Sequence, residues 1–295
     1  MSLVINHNMM AMNAARNLNA SYNRLATSTR RLSSGLRVGT AADDAAGLAI
    51  RELMRADIAT LNQGIRNAND AISMIQTADG ALQVIDEKLI RMKELAEQAA
   101  TGTYNSDQRL LIESEYQAMA SEITRIANAT DFNGIHLLNG TLSGRHDGSG
   151  LQSLGEIKIH FGTGNDSAED YYFISIGGAT ASHLGVGNQA VEGAGYSIST
   201  QQAAQQALDK LNLAIISKDN IRAALGAVQN RLENTITNLA IQAENLQAAE
   251  SRISDVDEAT EMTEFVRNQI LTQAAVAMLS QANSLPQMAL QLIGG

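Results

Sequence analysis

Apolar residues between positions 208 and 253 recur in alternating steps of three and four. Ten of the fourteen positions in this series are apolar, and no proline interrupts them. Such a period is typical of a helix that packs along its length against another helix. At about 1.5 Å per residue this helix would be roughly 70 Å long, so it needs partners of similar length. The series is Leu208, Leu211, Ile215, Lys218, Arg222, Leu225, Gln229, Leu232, Ile236, Leu239, Ala243, Leu246, Glu250 and Ile253.

Two earlier stretches carry apolar positions at helical spacing and supply those partners. Residues 44–100 hold two runs of the three-four period, joined at Ile75 and Ala78 by a repeated step of three. Residues 106–130 place apolar side chains on one helical face before a turn at 131–134. We therefore predict an inner antiparallel bundle in which 44–100 and 106–130 pack against 208–253.

Residues 140–195 differ in kind, because they contain 13 of the 23 glycines. Apolar and polar residues alternate from Ile157 to Phe161 and again from Tyr172 to Ile176. Two alternating runs across a polar loop are typical of a β-hairpin. The predicted fold is therefore mainly α: an elongated antiparallel bundle of long helices, or coiled coil, with a small β-hairpin insert at about 140–195.

The two ends of the chain carry opposite charge. Residues 1–42 contain five arginines and no acidic residue, whereas Asp255, Asp257, Glu258, Glu261 and Glu264 open a C-terminal stretch that is uncharged after Arg267. Both ends have helical spacing, and we predict that 1–35 pairs with 260–293 as an outer pair. The predicted domains are 1–43 with 254–295 as terminal helices, and 44–253 as the rod bundle with its insert.

Composition narrows the class of protein. The formal charge of −10 argues against general nucleic-acid binding. There is no cysteine, which excludes disulfides and thiolate chemistry. We find no apolar run of 18 residues for a membrane span and no pattern of a cleaved secretory signal, so we expect that any export uses another route.

No catalytic pattern emerges from the sequence. The five histidines are not arranged as His-Glu-x-x-His, and the glycines around Thr163 lack the third glycine of a dinucleotide loop. We predict that the protein is not an enzyme and uses no cofactor or metal.

Segments at both ends resemble the bacterial flagellin family. The similarity is carried by residues 31–37 (RLSSGLR), 43–50 (DDAAGLAI), 132–134 with Leu137 and Leu138, 251–261, and 270–283. It covers the chain except for roughly 140–195. In that family the terminal helices line a central channel and the rod bundle packs around them, and the short insert here implies that large outer domains are absent.

The resemblance implies a secreted, extracellular structural subunit that self-assembles into the helical flagellar filament used for motility. It implies a homo-oligomer, with a type III export apparatus, an export chaperone, and filament cap and hook-junction proteins as partners. We expect the terminal helices to be poorly ordered until neighbours cover them. The expected assembly residues are Leu18, Tyr22, Leu25, Leu32, Phe265, Val276 and Leu279, and the expected chaperone-binding residues are Met288, Leu290, Leu292 and Ile293.

The resemblance also suggests a host partner, a flagellin-sensing Toll-like receptor, with Arg91, Leu95 and Glu115 at its contact. On the face of such a rod, Arg91 and Glu115 are more often solvated or lateral filament contacts, and Leu95 is also consistent with the core. Two other functions stay open: a hook–filament junction protein with the same terminal helices, and a secreted helical protein that acts on membranes through its uncharged C-terminal helix. The close match at both ends favours the filament subunit.

Overall fold

The computed structural model describes residues 8–148, 155–167, 169–187 and 196–293, and for 285–287 and 289–293 it describes the backbone only. The helices are α1 Met9–Ser34, α2 Ala45–Ala100, α3 Ser106–Ala129, α4 Ala181–Leu184, α5 Gln201–Ser254 and α6 Glu258–Ile293. The strands are β1 Asp131–Phe132, β2 Ile135–His136, β3 Ile157–His160 and β4 Tyr171–Ile174. The predicted mainly-α fold with long antiparallel helices and a hairpin insert is confirmed.

The chain divides into two compact units, 59–243 and 1–58 with 244–295. The predicted division, 44–253 against 1–43 with 254–295, separates the chain by its role in assembly and stays a prediction. Because α2 and α5 continue without a break, no turn or composition change in the sequence marks positions 58 or 243.

The bundle unit, 59–243, is built on the predicted three-four seam. Leu211, Leu225 and Leu232 of α5 are fully buried, as are Leu82, Ile85, Leu89 and Met92 of α2 and Tyr116 and Ile123 of α3. Burial of the Tyr116 ring also raises the pKa of its hydroxyl. The repeated apolar step thus places one face of each long helix in a common core.

Two polar positions of that seam are matched by acids on α2. The Lys218 side chain is only 2% exposed and its Nζ lies 2.5 Å from Asp86 Oδ1 and 2.7 Å from Asp219 Oδ1. One turn further along, Arg222 Nε lies 2.7 Å from Asp79 Oδ1. The acids descend along α2 as the bases ascend along α5, which is the order required by antiparallel helices.

The predicted β-hairpin is confirmed as β3 and β4. The strands pair antiparallel, with Ile157 opposite Ile174 and His160 opposite Tyr171. The hairpin lies against α2 at Gly64, where a Cβ would overlap the carbonyl oxygen of Phe161. A residue without a side chain is therefore required for the helix and the hairpin backbone to come this close.

A second, smaller hairpin was not predicted. The turn expected at 131–134 is the loop of β1 and β2, in which Asp131 pairs with His136 and Phe132 with Ile135. Asn133 and Gly134 both have positive φ, at 50° and 79°. Positive φ at both central residues gives a turn whose twist suits a two-residue hairpin.

The terminal unit contains α1 and α6, which pair antiparallel as predicted. Asn8 Nδ2 donates to the Ala282 carbonyl at 2.7 Å, and Arg31 Nη1 lies 3.5 Å from Glu261 Oε2. α1 ends at Gly35, whose φ of 71° is a left-handed cap, and the following Arg37 amide donates to the Ser254 carbonyl at 2.7 Å. These contacts hold the segment that follows α1 against the C-terminal end of α5.

Candidate assembly interface

One face of α6 is apolar and open to solvent. Residues 262, 266 and 270 lie four apart, one helical turn each, and Ile270 is 59% exposed. On the side of α6 that faces α1, Asn268 and Ala282 are buried, and Phe265 and Leu279 are partly buried. The exposed large apolar residues of α6 are Met262, Val266, Ile270, Leu271, Val276, Met278 and Met288.

α1 contributes a smaller exposed apolar surface. Met9, Met10, Met12 and Tyr22 are all more than half exposed. The remaining outward positions of α1 are largely asparagine, arginine and alanine. Within the α1–α6 pair, the exposed large apolar side chains are therefore concentrated on α6 and on the first turn of α1.

The contact between α1 and α6 combines polar and apolar side chains. Its buried residues include Ser28 and Asn268, and its ion pair is Arg31 with Glu261. Arg31 Nε is buried and has no hydrogen-bond partner among the described residues. A buried donor without a partner destabilises a contact by about 1–3 kcal/mol. The exposed large apolar side chains of the two helices are therefore left for another molecule to cover.

The sequence-predicted assembly residues fall into two groups. Leu18, Leu25 and Leu32 of α1 and Phe265 and Leu279 of α6 are partly buried, and lie on the inward-facing sides of the two helices. Tyr22 and Val276, which are 62% and 53% exposed, point outward. The first group supports the α1–α6 pair, and only the second is directly available to another molecule.

Sequence reasoning missed five residues of the outward face: Met262, Val266, Ile270, Leu271 and Met278. Their helical spacing could have indicated them, because they lie on other sides of α6 than Phe265 and Leu279. Without the position of α1, however, either of the two apolar lines of α6 could have faced inward.

The predicted chaperone-binding residues lie at the end of α6. Met288 is 46% exposed. The side chains of Leu290, Leu292 and Ile293 fall outside the described residues, although the helix itself continues to Ile293.

The three predicted receptor residues differ in their exposure to solvent. Arg91 and Glu115 are exposed and form an ion pair between α2 and α3, with Arg91 Nη2 2.8 Å from Glu115 Oε1. The hydrogen bonds that Arg91 donates, to Glu115 first and then to Glu94, raise the pKa of its guanidinium. Leu95 is 1% exposed and belongs to the bundle core. Its side chain does not reach the surface, which agrees with the alternative that placed Leu95 in the core, and the receptor contact itself stays a prediction.

No group of three histidine or carboxylate side chains that could hold a metal ion occurs within residues 8–148, 155–167, 169–187 and 196–293. Across the same part of the chain, none of the helices combines the length and the apolar character that a bilayer crossing demands.

Comparison with known proteins gives the family. Residues 5–143 match the bacterial flagellin N-terminal helical region, and residues 208–293 match the bacterial flagellin C-terminal helical region. The chain is similar to Flagellin FlaB1 of Treponema pallidum, at 40% identity over 99% of this chain and 100% of that protein. It is 42% identical, over the same shares, to the flagellar filament 33 kDa core protein of Treponema phagedenis and to a flagellin of Halalkalibacterium halodurans. The chain belongs to the bacterial flagellin family.

Proposed function

We propose that α1 and α6 are the surface through which this structural subunit of the bacterial flagellar filament joins its neighbours. The observation that carries the proposal is the exposed apolar face of α6, with seven large apolar side chains on one helix. A surface of this kind on a soluble chain marks an interaction site.

The energetic gain from covering this face is substantial. Full burial of a large apolar side chain stabilises by about 1.5–3 kcal/mol. The α6 residues are 44–64% exposed, so each has about half of that gain still to realise. A contact repeated from one copy to the next, on patches that are not related by a closed symmetry, builds an open helical filament.

The same surface explains why assembly would begin at a growing end. Ordering a residue costs about 1–2 kcal/mol in backbone entropy, and the inward-facing apolar side chains of α1 and α6 offset only part of it because they are partly, not fully, buried. We propose that both helices are poorly ordered in the free subunit, and that existing subunits at the filament tip supply the missing contacts.

The end of α6 is also proposed as the binding site of an export chaperone. An amphipathic helix of this length fits a hydrophobic groove, and Met288 provides one exposed anchor. Substituting Met288, Leu290, Leu292 and Ile293 with Gln should abolish chaperone binding by calorimetry while the bundle's unfolding temperature stays unchanged. Retained binding would contradict the assignment.

We further propose secretion by a type III export route, with the filament cap and hook-junction proteins as neighbours at the two filament ends. The resemblance to flagellins supports these partners. For a Toll-like receptor contact, the exposed Arg91–Glu115 pair is the candidate surface. Arg91→Ala should then weaken receptor binding, and equal binding by parent and variant would count against a receptor role for this pair.

Seeded assembly tests the main proposal. Purified chain mixed with sheared fragments of its own filaments should elongate them, as seen by negative-stain microscopy. A chain that lacks 258–295 should stay soluble and keep the helical signal of its bundle, because the core of 59–243 contains none of the deleted residues. Elongation by the truncated chain would overturn the proposed role of α6.

A further inference from the structure

Within the part of the chain that the structure describes, the exposed methionines are confined to the two terminal helices. Among the ten methionines of the described residues, six are more than 45% exposed, and all of them lie on α1 or α6. In the bundle, Met74 and Met92 are 3% and 0% exposed and Met119 is partly buried, and Met54 near the start of α2 is also partly buried. The six are Met9, Met10, Met12, Met262, Met278 and Met288.

The composition makes these thioethers the main targets of a two-electron oxidant. The chain has no cysteine and no tryptophan. A methionine thioether is oxidised to the sulfoxide when an oxidant can reach it, and the product is a polar group that disrupts apolar interfaces. Exposure therefore decides both where oxidation occurs and what it affects.

We propose that the six exposed methionines of α1 and α6 are a reversible oxidation site that controls whether a subunit can enter the filament. The inference rests on the proposed assembly role of these helices. Hydrogen peroxide is the oxidant considered. The Sδ lone pair attacks one peroxide oxygen, and the O–O bond breaks as the S–O bond forms. The departing hydroxide takes the proton from the new S–OH group, which leaves the sulfoxide and water.

Position on the helix explains the effect on assembly. Met262, 48% exposed, lies one turn of α6 from Val266, and Met278, 64% exposed, lies two turns from Leu271. A sulfoxide there forces a strong hydrogen-bond acceptor into a surface that assembly would desolvate. Each sulfoxide that assembly buries without a partner should raise the critical concentration about tenfold, which is equivalent to about 1.4 kcal/mol.

Oxidation of the six exposed methionines should not destabilise the fold of the subunit. Because the six side chains already face solvent, oxidation of them removes no core contact, and the buried Met74 and Met92 are shielded within the bundle. The free subunit should also be oxidised faster than the assembled filament, since assembly covers the same six thioethers. Oxidised subunits would be excluded from a filament, and subunits already in place would be protected.

The test compares seeded elongation of the full chain before and after peroxide treatment, with the peroxide removed by catalase. Peptide mass mapping should find added oxygen at the six exposed positions and not at Met74 or Met92. The oxidised chain should no longer elongate seeds, and the two methionine sulfoxide reductases, which act on the two sulfoxide epimers, should restore elongation. The rate at which a six-site Met→Leu variant elongates seeds, taken relative to the same variant without peroxide, should not change on peroxide treatment, and Met74→Leu/Met92→Leu should remain peroxide-sensitive.

The outcomes separate this inference from the proposed function. If the untreated chain fails to elongate seeds, the assembly proposal itself fails and the inference fails with it. If untreated and oxidised chains elongate equally, only the inference is overturned. Loss of elongation by the six-site variant after peroxide would also overturn it, because the damage would then lie elsewhere. Should that variant not assemble even untreated, reductase rescue of the parent chain decides: rescue supports the inference, and no rescue overturns it.

Discussion

Replacing Ile270 with Gln should impair assembly without affecting the fold of the subunit. Ile270 is 59% exposed on the apolar face of α6. Covering the exposed part of an isoleucine is worth about 1–2 kcal/mol, a little over half of the value for complete burial. Burying the glutamine amide in its place without a partner costs about 1–3 kcal/mol. The total, about 2 kcal/mol at the least, corresponds to a rise of roughly 30-fold in critical concentration.

The critical concentration is measured by pelleting seeded filaments and assaying the protein left in solution. Ile270→Leu is the matched control, since it keeps an apolar side chain of the same volume and should assemble like the parent. Thermal unfolding of the unassembled Ile270→Gln variant should match the parent, because substitutions at exposed positions change stability by under about 0.5 kcal/mol. A critical concentration equal to that of the parent would refute the reasoning that this face is buried between subunits.

Three further predictions concern the bundle. The ion pair with Arg222 lowers the pKa of the Asp79 carboxyl below its ordinary value of 3.8. The stabilisation that this pair gives the fold is therefore present above pH 3.8 and is lost as the pH falls through the folded-state pKa. Asp79→Asn should lower the unfolding temperature at pH 7 but not in strong acid. Asp86→Asn should destabilise the bundle by about 1–3 kcal/mol in urea unfolding, because it leaves the buried Lys218 charge with only the exposed Asp219, whereas Lys218→Met should be nearly neutral. Gly64→Ala should destabilise by about 1–3 kcal/mol, because the new Cβ overlaps the Phe161 backbone.

Each of these has an internal control. For Asp79, a parent–variant difference that persists unchanged below the folded-state pKa would show that charge is not the cause. For the buried pair, equal losses from Asp86→Asn and Lys218→Met would contradict the asymmetry derived from their burial. For Gly64, the control is Gly80→Ala on the same helix, where a Cβ meets nothing within 4 Å. That change should stabilise by about 0.5–1 kcal/mol through helix propensity, and stabilisation by both would refute the close approach.

The long helices and their pairing could be predicted from the sequence because the period of the apolar residues is itself the packing geometry. Positions 211, 225 and 232 of the seam are buried as the period requires. The β-hairpin followed in the same way from its period of two. The partner of Lys218 was not predicted, although a charge on a seam requires one, and the structure places Asp86 of α2 there.

The outward face of α6 and the burial of Leu95 could not be predicted as directly. α6 carries apolar residues on two sides, so its sequence alone does not say which side faces α1. Leu95 lies on a helix that packs against two partners, α3 as well as α5, so its buried sector is wider than a single seam. The β1–β2 hairpin was missed because its strands are two residues long, too short for any period to register.

Hydrogen exchange of the free subunit and of the filament tests most directly whether α1 and α6 are completed by neighbouring copies. The account predicts that amides of Met9–Ser34 and Glu258–Ile293 exchange rapidly in dilute subunit and slow by orders of magnitude on assembly, while the α2 core around Leu82–Leu89 stays protected in both states. Equal and strong protection of α1 and α6 in the free subunit and in the filament would contradict it.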